Sequence, residues 1–176
     1  MTVLFVGGVH GVGKSTCCGQ VAQLAAALHV TASEVIRRER AEAIAPSGKL
    51  VADVDGNQNL LVRGFRTYQA EAGATPILLD GHFAMRDIRG DIQAVSVDVF
   101  RALGPDHLVL LVDQPAAIAA RVDLRDGQAP DTSEVAELQN AELQTARLVA
   151  AALDVPLTVL NGGDAEGLRR LVLGSR

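Results

Sequence analysis

Cysteine is nearly missing from this chain: there are two in 176 residues, Cys17 and Cys18, and they are adjacent. Adjacent cysteines suit neither a disulfide framework nor a CxxC metal site. Basic charge is also short, with 16 lysines and arginines against 21 aspartates and glutamates, a formal net charge of -5 and a pI near 5.3. That balance lacks the basic excess on which duplex nucleic-acid binding relies, while a small anionic ligand in a local positive pocket stays compatible. No apolar run approaches the length needed to span a bilayer. The apolar start has no basic segment before it and runs straight into a glycine-rich loop, so no secretory signal is expected and the predicted location is cytoplasmic, without a membrane partner. Internal repeats, low-complexity tracts and linkers are missing too. What remains is 48% hydrophobic and 21% charged, the balance of one globular domain over residues 1–176.

The most informative stretch is Gly7-Gly8-Val9-His10-Gly11-Val12-Gly13-Lys14-Ser15-Thr16. Gly8, Gly13, Lys14 and Ser15 stand at the spacing of a phosphate-binding P-loop. An apolar, β-branched run precedes it from Thr2 to Val6, and a helical segment follows Lys14, which is the required strand–loop–helix context. Backbone N–H groups of such a loop turn in around phosphate oxygens, and the helix N-terminus adds about half a positive charge. Gly8, His10, Gly11, Val12, Gly13, Lys14, Ser15 and Thr16 are therefore the candidate ATP-binding residues. Lys14 is expected to reach the β and γ phosphates, and Ser15 to place its hydroxyl on Mg2+.

The remaining chain alternates strand-like and helix-like segments. Strands are predicted at Leu28–Thr31, Ile77–Asp80, His107–Val112 and Pro156–Leu160. Helices are predicted from about Asn57 to Ala72, before Gly104, from Asp113–Pro115 to Gly127, after an Asp131/Glu134 capping box, and at the C-terminus. Ser33 to Glu42 is polar and arginine-rich, and Gly81 to about Ile92 reads as a loop. Cys17, Val21, Leu24 and Leu28 suggest one buried stripe, and Leu138, Ala141, Thr145, Leu148 and Ala152 another. This βα alternation predicts an α/β fold of three layers, a parallel sheet of about five strands with helices on both faces. Ligands of such sheets sit at the carboxyl ends of the strands, where the P-loop, Asp80 and the segment after Asp113 fall.

Asp80 ends its strand as a metal-orienting acid does. Arg121 and Arg125 lie four residues apart on one helix face, placed to clamp a transferring phosphoryl group. Lys14, Asp80, Arg121 and Arg125 are the candidate catalytic residues, and Ser15 and Asp80 the candidate metal ligands.

At these residues the chain resembles the adenylate kinase-type nucleoside monophosphate kinases, in order through most of its length. His29-Val30-Thr31-Ala32-Ser33-Glu34-Val35-Ile36-Arg37 is similar to the acceptor segment of that family, whose last arginine holds the acceptor's phosphate. Gly48-Lys49-Leu50-Val51 is similar to a stretch that lies along the acceptor base. Leu79-Asp80-Gly81 is similar to the start of its Leu-Asp-Gly-Phe-Pro-Arg motif, and Arg121 and Arg125 to the arginine pair at the start of its lid. The resemblance implies a P-loop nucleotide kinase fold, an acceptor segment over about 31–72 and a short lid over about 126–132. It implies transfer of the γ-phosphoryl of Mg-ATP to a nucleoside monophosphate, with Thr31, Arg37, Val51 and Arg86 on the acceptor side.

The chain also departs from that pattern. His82-Phe83-Ala84 follows Asp80-Gly81 where the family has Phe-Pro-Arg, and Arg86 or Arg89 is left to replace the missing arginine. The arginines that follow the lid have no match, since the helix there carries Glu137 and Glu142. The acceptor therefore stays open between a nucleoside monophosphate and another small phosphate or alcohol. A kinase for a non-nucleotide metabolite or a polynucleotide 5'-hydroxyl, and a nucleotide-binding switch with slow ATPase activity, are the alternatives. With an alcohol acceptor a base becomes useful, and Asp80 or His82 is its first candidate.

Overall fold

The computed structural model describes residues 2–43 and 54–174. In chain order these form β1 (Val3–Gly7), α1 (Lys14–Ala25), β2 (Leu28–Thr31), α2 (Ala32–Ala43), α3 (Val54–Ala72), β3 (Ile77–Asp80), β4 (Ala84–Arg86), β5 (Ile92–Ala94), α4 (Val97–Leu103), β6 (His107–Val112), α5 (Pro115–Asp126), α6 (Thr132–Leu153), β7 (Leu157–Asn161) and α7 (Ala165–Gly174). Five strands make a parallel sheet in the order β2-β3-β1-β6-β7. The central strands β1 and β3 are buried along their whole length. Near-continuous apolar sequence is what such strands need, because helices cover both faces.

Alternation along β1 divides the interior in two. Val3 and Phe5 point into one core with Val35 of α2, Leu61 and Phe65 of α3, Phe100 of α4 and Val149 of α6. Leu4 and Val6 point into the other, with Cys17, Cys18 and Val21 of α1, Ile118 of α5 and Leu168 of α7. Both cysteines are free and buried. Burial pushes the Cys17 thiol up to about 11, and raises that of Cys18 further, so both behave as small apolar groups. Helix α6 serves both cores, Val135 in one and Ala146 and Val149 in the other.

Several expectations are corrected in detail. The polar stretch from Ser33 is helical, because Thr31 and Glu34 form a reciprocal capping box: the Glu34 N–H donates to Thr31 Oγ1 (3.1 Å), and the Thr31 N–H to Glu34 Oε2 (3.1 Å). The expected loop from Gly81 contains the antiparallel hairpin β4–β5, pairing Ala84 with Ala94 and Arg86 with Ile92. Its tip is closed by Asp87, whose Oδ1 accepts from the Arg89 and Asp91 N–H groups. Strands of three residues are too short for alternation to declare them. Leu24 and Leu148 are 71% and 67% exposed. The buried face of α6 runs through Val135, Glu142, Thr145, Ala146 and Val149; it keeps Thr145 of the expected stripe, with Leu138 packed against the core, and takes Val149 in place of Leu148.

Phe5, Phe83 and Phe100 pack together, with centroids 4.9 Å apart from Phe5 to each partner and 5.2 Å between Phe83 and Phe100. The ring of Phe83 lies against the backbone of Gly7, where an added Cβ would meet it at 2.4 Å. Gly7→Ala therefore overpacks the centre of the sheet, and urea unfolding should show a loss of about 1–3 kcal/mol. An unchanged midpoint would mean that Phe83 is free to move aside.

Candidate functional site

The loop between β1 and α1 takes conformations that its glycines permit. Gly8 has φ 142°, and an added Cβ would stand 2.6 Å from the Leu111 carbonyl oxygen. Gly13 caps α1 at φ 104°, in the left-handed region. Lys14, the first residue of α1, is 7% exposed and folds back to donate from Nζ to the carbonyls of Gly8 (2.7 Å) and Val9 (3.3 Å). Burial lowers its pKa, against the opposing pull of Asp80 and Glu142. The ammonium is thus held inside its own loop, close to two acids.

Parallel register sets Asp80 beside Val6, and the Gly81 N–H donates to the Val6 carbonyl at 3.0 Å. The buried Asp80 carboxylate then accepts from Ser15 Oγ at 2.6 Å. His29 Nε2 stands 3.6 Å from the same oxygen, too far for a hydrogen bond, and has no other partner among the described residues. Burial works to raise the Asp80 pKa, but His29, the Ser15 hydroxyl and the Lys14 ammonium prevail and hold it low. Ser15 Oγ and the carboxylate form a pair of hard oxygen donors, which is the ligand type Mg2+ takes. Among the described residues no three His, Cys, Asp or Glu side chains cluster as a metal site. A cation here would complete its shell with phosphate oxygens and water.

Both arginines of α5 meet the loop. Arg121 donates to the carbonyls of Gly11 and Val12, each at 3.1 Å, and pairs with Asp113 at the end of β6. Asp113 is itself fixed to α6, since its N–H and carbonyl bond the side chain of Gln139 (3.1 and 3.0 Å). Arg125 reaches His10 Nε2, and its Nε donates to Asp126 at 2.6 Å. The His10 pKa is lowered by partial burial and by the charges of Arg125, Lys14 and His82. The neutral ring is the form that accepts from a guanidinium. Residues 127–131 connect α5 to α6.

On the other face of the sheet lies a cavity of about 210 Å³, floored by Phe5 and walled by Ile36, Leu61, Met85, Phe100 and Leu103. Ser33, Asn57, Gln58 and His82 are its polar lining. His82 follows the Asp80-Gly81 turn and is held by Glu142, whose Oε1 is 2.9 Å from Nδ1 and whose Oε2 accepts the Phe83 N–H at 2.6 Å. Glu142 is fully buried.

The residues expected on the acceptor side have these partners and positions. Thr31 is engaged in capping α2. Arg86 pairs with Glu137 of α6 (2.6 Å) and donates to the Gly90 carbonyl (2.7 Å), so its charge is committed away from the cavity lining. Arg37 is exposed on α2, one turn beyond Ser33, and is not among the residues lining the cavity. Val51 and the rest of Gly48-Lys49-Leu50-Val51 lie outside the described residues. Glu142 and Gln139 were missed. Their only signal was position: both fall on the inward side of a helix whose true buried face a charged residue disguises.

The protein family described as AAA domain matches residues 7–139. No curated protein matches the chain in sequence. Among solved structures, a shikimate kinase from Acinetobacter baumannii in complex with shikimate is similar at a TM-score of 0.60 and 16% identity, over 100% of this chain and 95% of that one. A gluconokinase from Sinorhizobium meliloti 1021 is similar at a TM-score of 0.54 and 16% identity, over 98% of this chain and 90% of that one. The fold is thus the three-layer α/β P-loop kinase fold. No helix among the described residues is long and apolar enough to cross a membrane.

The depressed Asp80 carboxyl has a signed consequence. It contributes stability above its unfolded pKa of about 3.9, and that contribution is lost as pH falls through the lower folded value. The stability difference between wild type and Asp80→Asn, followed by denaturation from pH 7 to pH 3, should therefore shrink below about pH 4. A difference that stays constant would mean that the carboxylate gains nothing from its neighbours.

Proposed function

The chain belongs to the AAA domain family, and from that premise we propose that it is an Mg-ATP-dependent phosphotransferase acting on a small molecule held in the cavity lined by Phe5 and His82. The observation that carries this proposal is the convergence of Lys14, Ser15 and Asp80 at the loop, with Arg121 and Arg125 of α5 already touching it. The loop amides and Lys14 bind the β and γ phosphates of ATP. Ser15 and Asp80 hold Mg2+, which when bound neutralises phosphate charge. Lys14 exchanges the two carbonyls it now contacts for phosphate oxygens, which are stronger, charged acceptors. Arg125, exposed and held among the described residues by His10 and Asp126, closes over the transferring group, and residues 126–132 act as its short lid.

The nucleoside monophosphate acceptor implied by the sequence resemblance has one observation in its favour. Arg37 is exposed one helical turn from Ser33, so a phosphate could sit outside the cavity with its base inside. Against it, the two similar structures carry the names of kinases not named for a nucleotide, and Arg86 is committed to Glu137.

Lys14→Ala should reduce ADP formation at least about a hundredfold, the scale of losing one aligned donor to developing charge. Unchanged turnover would refute the assignment of the loop. Arg125→Ala should lower kcat more than it weakens ATP binding, because its contact is made in the transition state; equal losses in both would assign Arg125 to simple binding.

A further inference from the structure

The lining of the cavity does not suit a charged group placed inside it. Among the described residues that line it there is no lysine, arginine, aspartate or glutamate. Phe5, Ile36, Leu61, Phe100 and Leu103 form its body, and Met85 of the hairpin stands 39% exposed. An acceptor that carried a phosphate or carboxylate in among Phe5, Leu61 and Phe100 would lose hydration there, and the nearby Arg40 guanidinium is already engaged by Asn57 Oδ1. A neutral, largely apolar body loses nothing comparable. The Gln58 amide and the amide N–H groups of Asn57, whose Oδ1 accepts from Arg40, offer neutral hydrogen bonds to the polar groups such a body carries.

His82 is the single ionisable side chain in that lining. Its orientation is set from behind. Glu142, fully buried on α6, already takes the Phe83 N–H on one oxygen and meets His82 Nδ1 on the other. A carboxylate only accepts, so the proton of the neutral ring is on Nδ1 and Nε2 is left as a lone-pair acceptor. In the chain His82 sits between Asp80, which accepts from Ser15 of the P-loop, and Phe83, whose ring packs on Gly7. His82 therefore stands between the cavity and the phosphate site.

We infer that the cavity receives an uncharged, predominantly apolar alcohol, whose reacting hydroxyl donates its hydrogen bond to His82 Nε2. This deepens the phosphotransferase proposal and rests on it. In the transfer, the hydroxyl oxygen forms the new bond to the γ-phosphorus. The bond from that phosphorus to the β,γ-bridging oxygen breaks, and ADP leaves with its electron pair. The hydroxyl proton passes to His82 Nε2 and then to solvent, leaving a phosphomonoester. Glu142 is a positioning residue that keeps Nε2 available, and His82 is a catalytic residue in this scheme.

The test uses the full chain with saturating Mg-ATP and two groups of acceptors: 2-phenylethanol, adenosine and thymidine, which are uncharged alcohols, and AMP, dTMP and shikimate, which are anionic. ADP release and the mass of the product are both read. At least one uncharged alcohol should raise ADP release at least about tenfold and appear as its phosphomonoester, above any anionic member. His82→Ala should lower kcat for that alcohol by about tenfold or more with KM for Mg-ATP within about twofold. His82→Gln, which keeps a hydrogen-bond acceptor, should retain more activity than His82→Ala. Met85→Arg, at an exposed position of the lining, should raise KM for the alcohol and leave KM for Mg-ATP unaltered. Stimulation by the anionic members alone, or by no uncharged alcohol, overturns the inference, and so does a His82→Ala protein with unchanged kcat. Failure of the broader proposal has another signature: Mg-ATP does not bind, or ADP formation is the same in Lys14→Ala.

Discussion

Pairing of Val6 with Asp80 across two parallel strands is the constraint on which the site depends. It sets the acid one residue from the start of the glycine loop, where the Ser15 hydroxyl reaches it at 2.6 Å. A slip of one residue would turn the Asp80 side chain to the other face of the sheet. It would also carry Leu79 out of the core it shares with Phe5. The apolar packing of β1 and β3 therefore enforces the register, and the register assembles the polar site. Lys14 adds a second dependency, because a buried ammonium is tolerable only where acceptors surround it, and the Gly8 and Val9 carbonyls and the nearby Asp80 provide that setting.

The two faces of the sheet divide the work. The side of Leu4 and Val6 carries α1, α5 and α7 and the apolar support of the P-loop. The side of Val3 and Phe5 carries α2, α3 and α4 and the cavity. The Gly81-His82-Phe83 turn links the two, since Phe83 packs on Gly7 while His82 lines the cavity. Helix α6 stabilises that link from both sides, through Glu142 to the turn and through Gln139 to Asp113, which in turn holds Arg121 on the loop. The P-loop on one face and the cavity on the other thus share one set of contacts.

Legibility in the sequence followed the range of the interactions. The P-loop was readable because ten consecutive residues state their backbone needs and their chemistry together. The sheet strands were readable because buried parallel strands are continuous apolar runs, and β2, β3 and β6 fall where those runs do. The hairpin β4–β5 was not, since three residues carry no period. The Thr31/Glu34 box was present in the sequence, but the resemblance of the segment to an acceptor site drew Thr31 toward a ligand and away from the cap it forms. Arg86 was assigned by the need for an arginine, and its partner Glu137 stands 51 residues on, beyond what spacing can reveal. Glu142 was hidden by its type: a carboxylate on an apolar helix reads as solvated until the His82 ring and the Phe83 N–H are seen against it.

The central claim is that the γ-phosphoryl leaves ATP for an organic acceptor in the cavity, and phosphorus-31 magnetic resonance of a single reaction tests it most directly. Mg-ATP, the protein and an equimolar mixture of 2-phenylethanol and thymidine are followed together. The account predicts that the γ resonance is replaced by that of a new phosphoryl ester, with little inorganic phosphate. Inorganic phosphate as the sole product, formed at the same rate with and without the acceptors, would contradict it and leave an ATPase in its place.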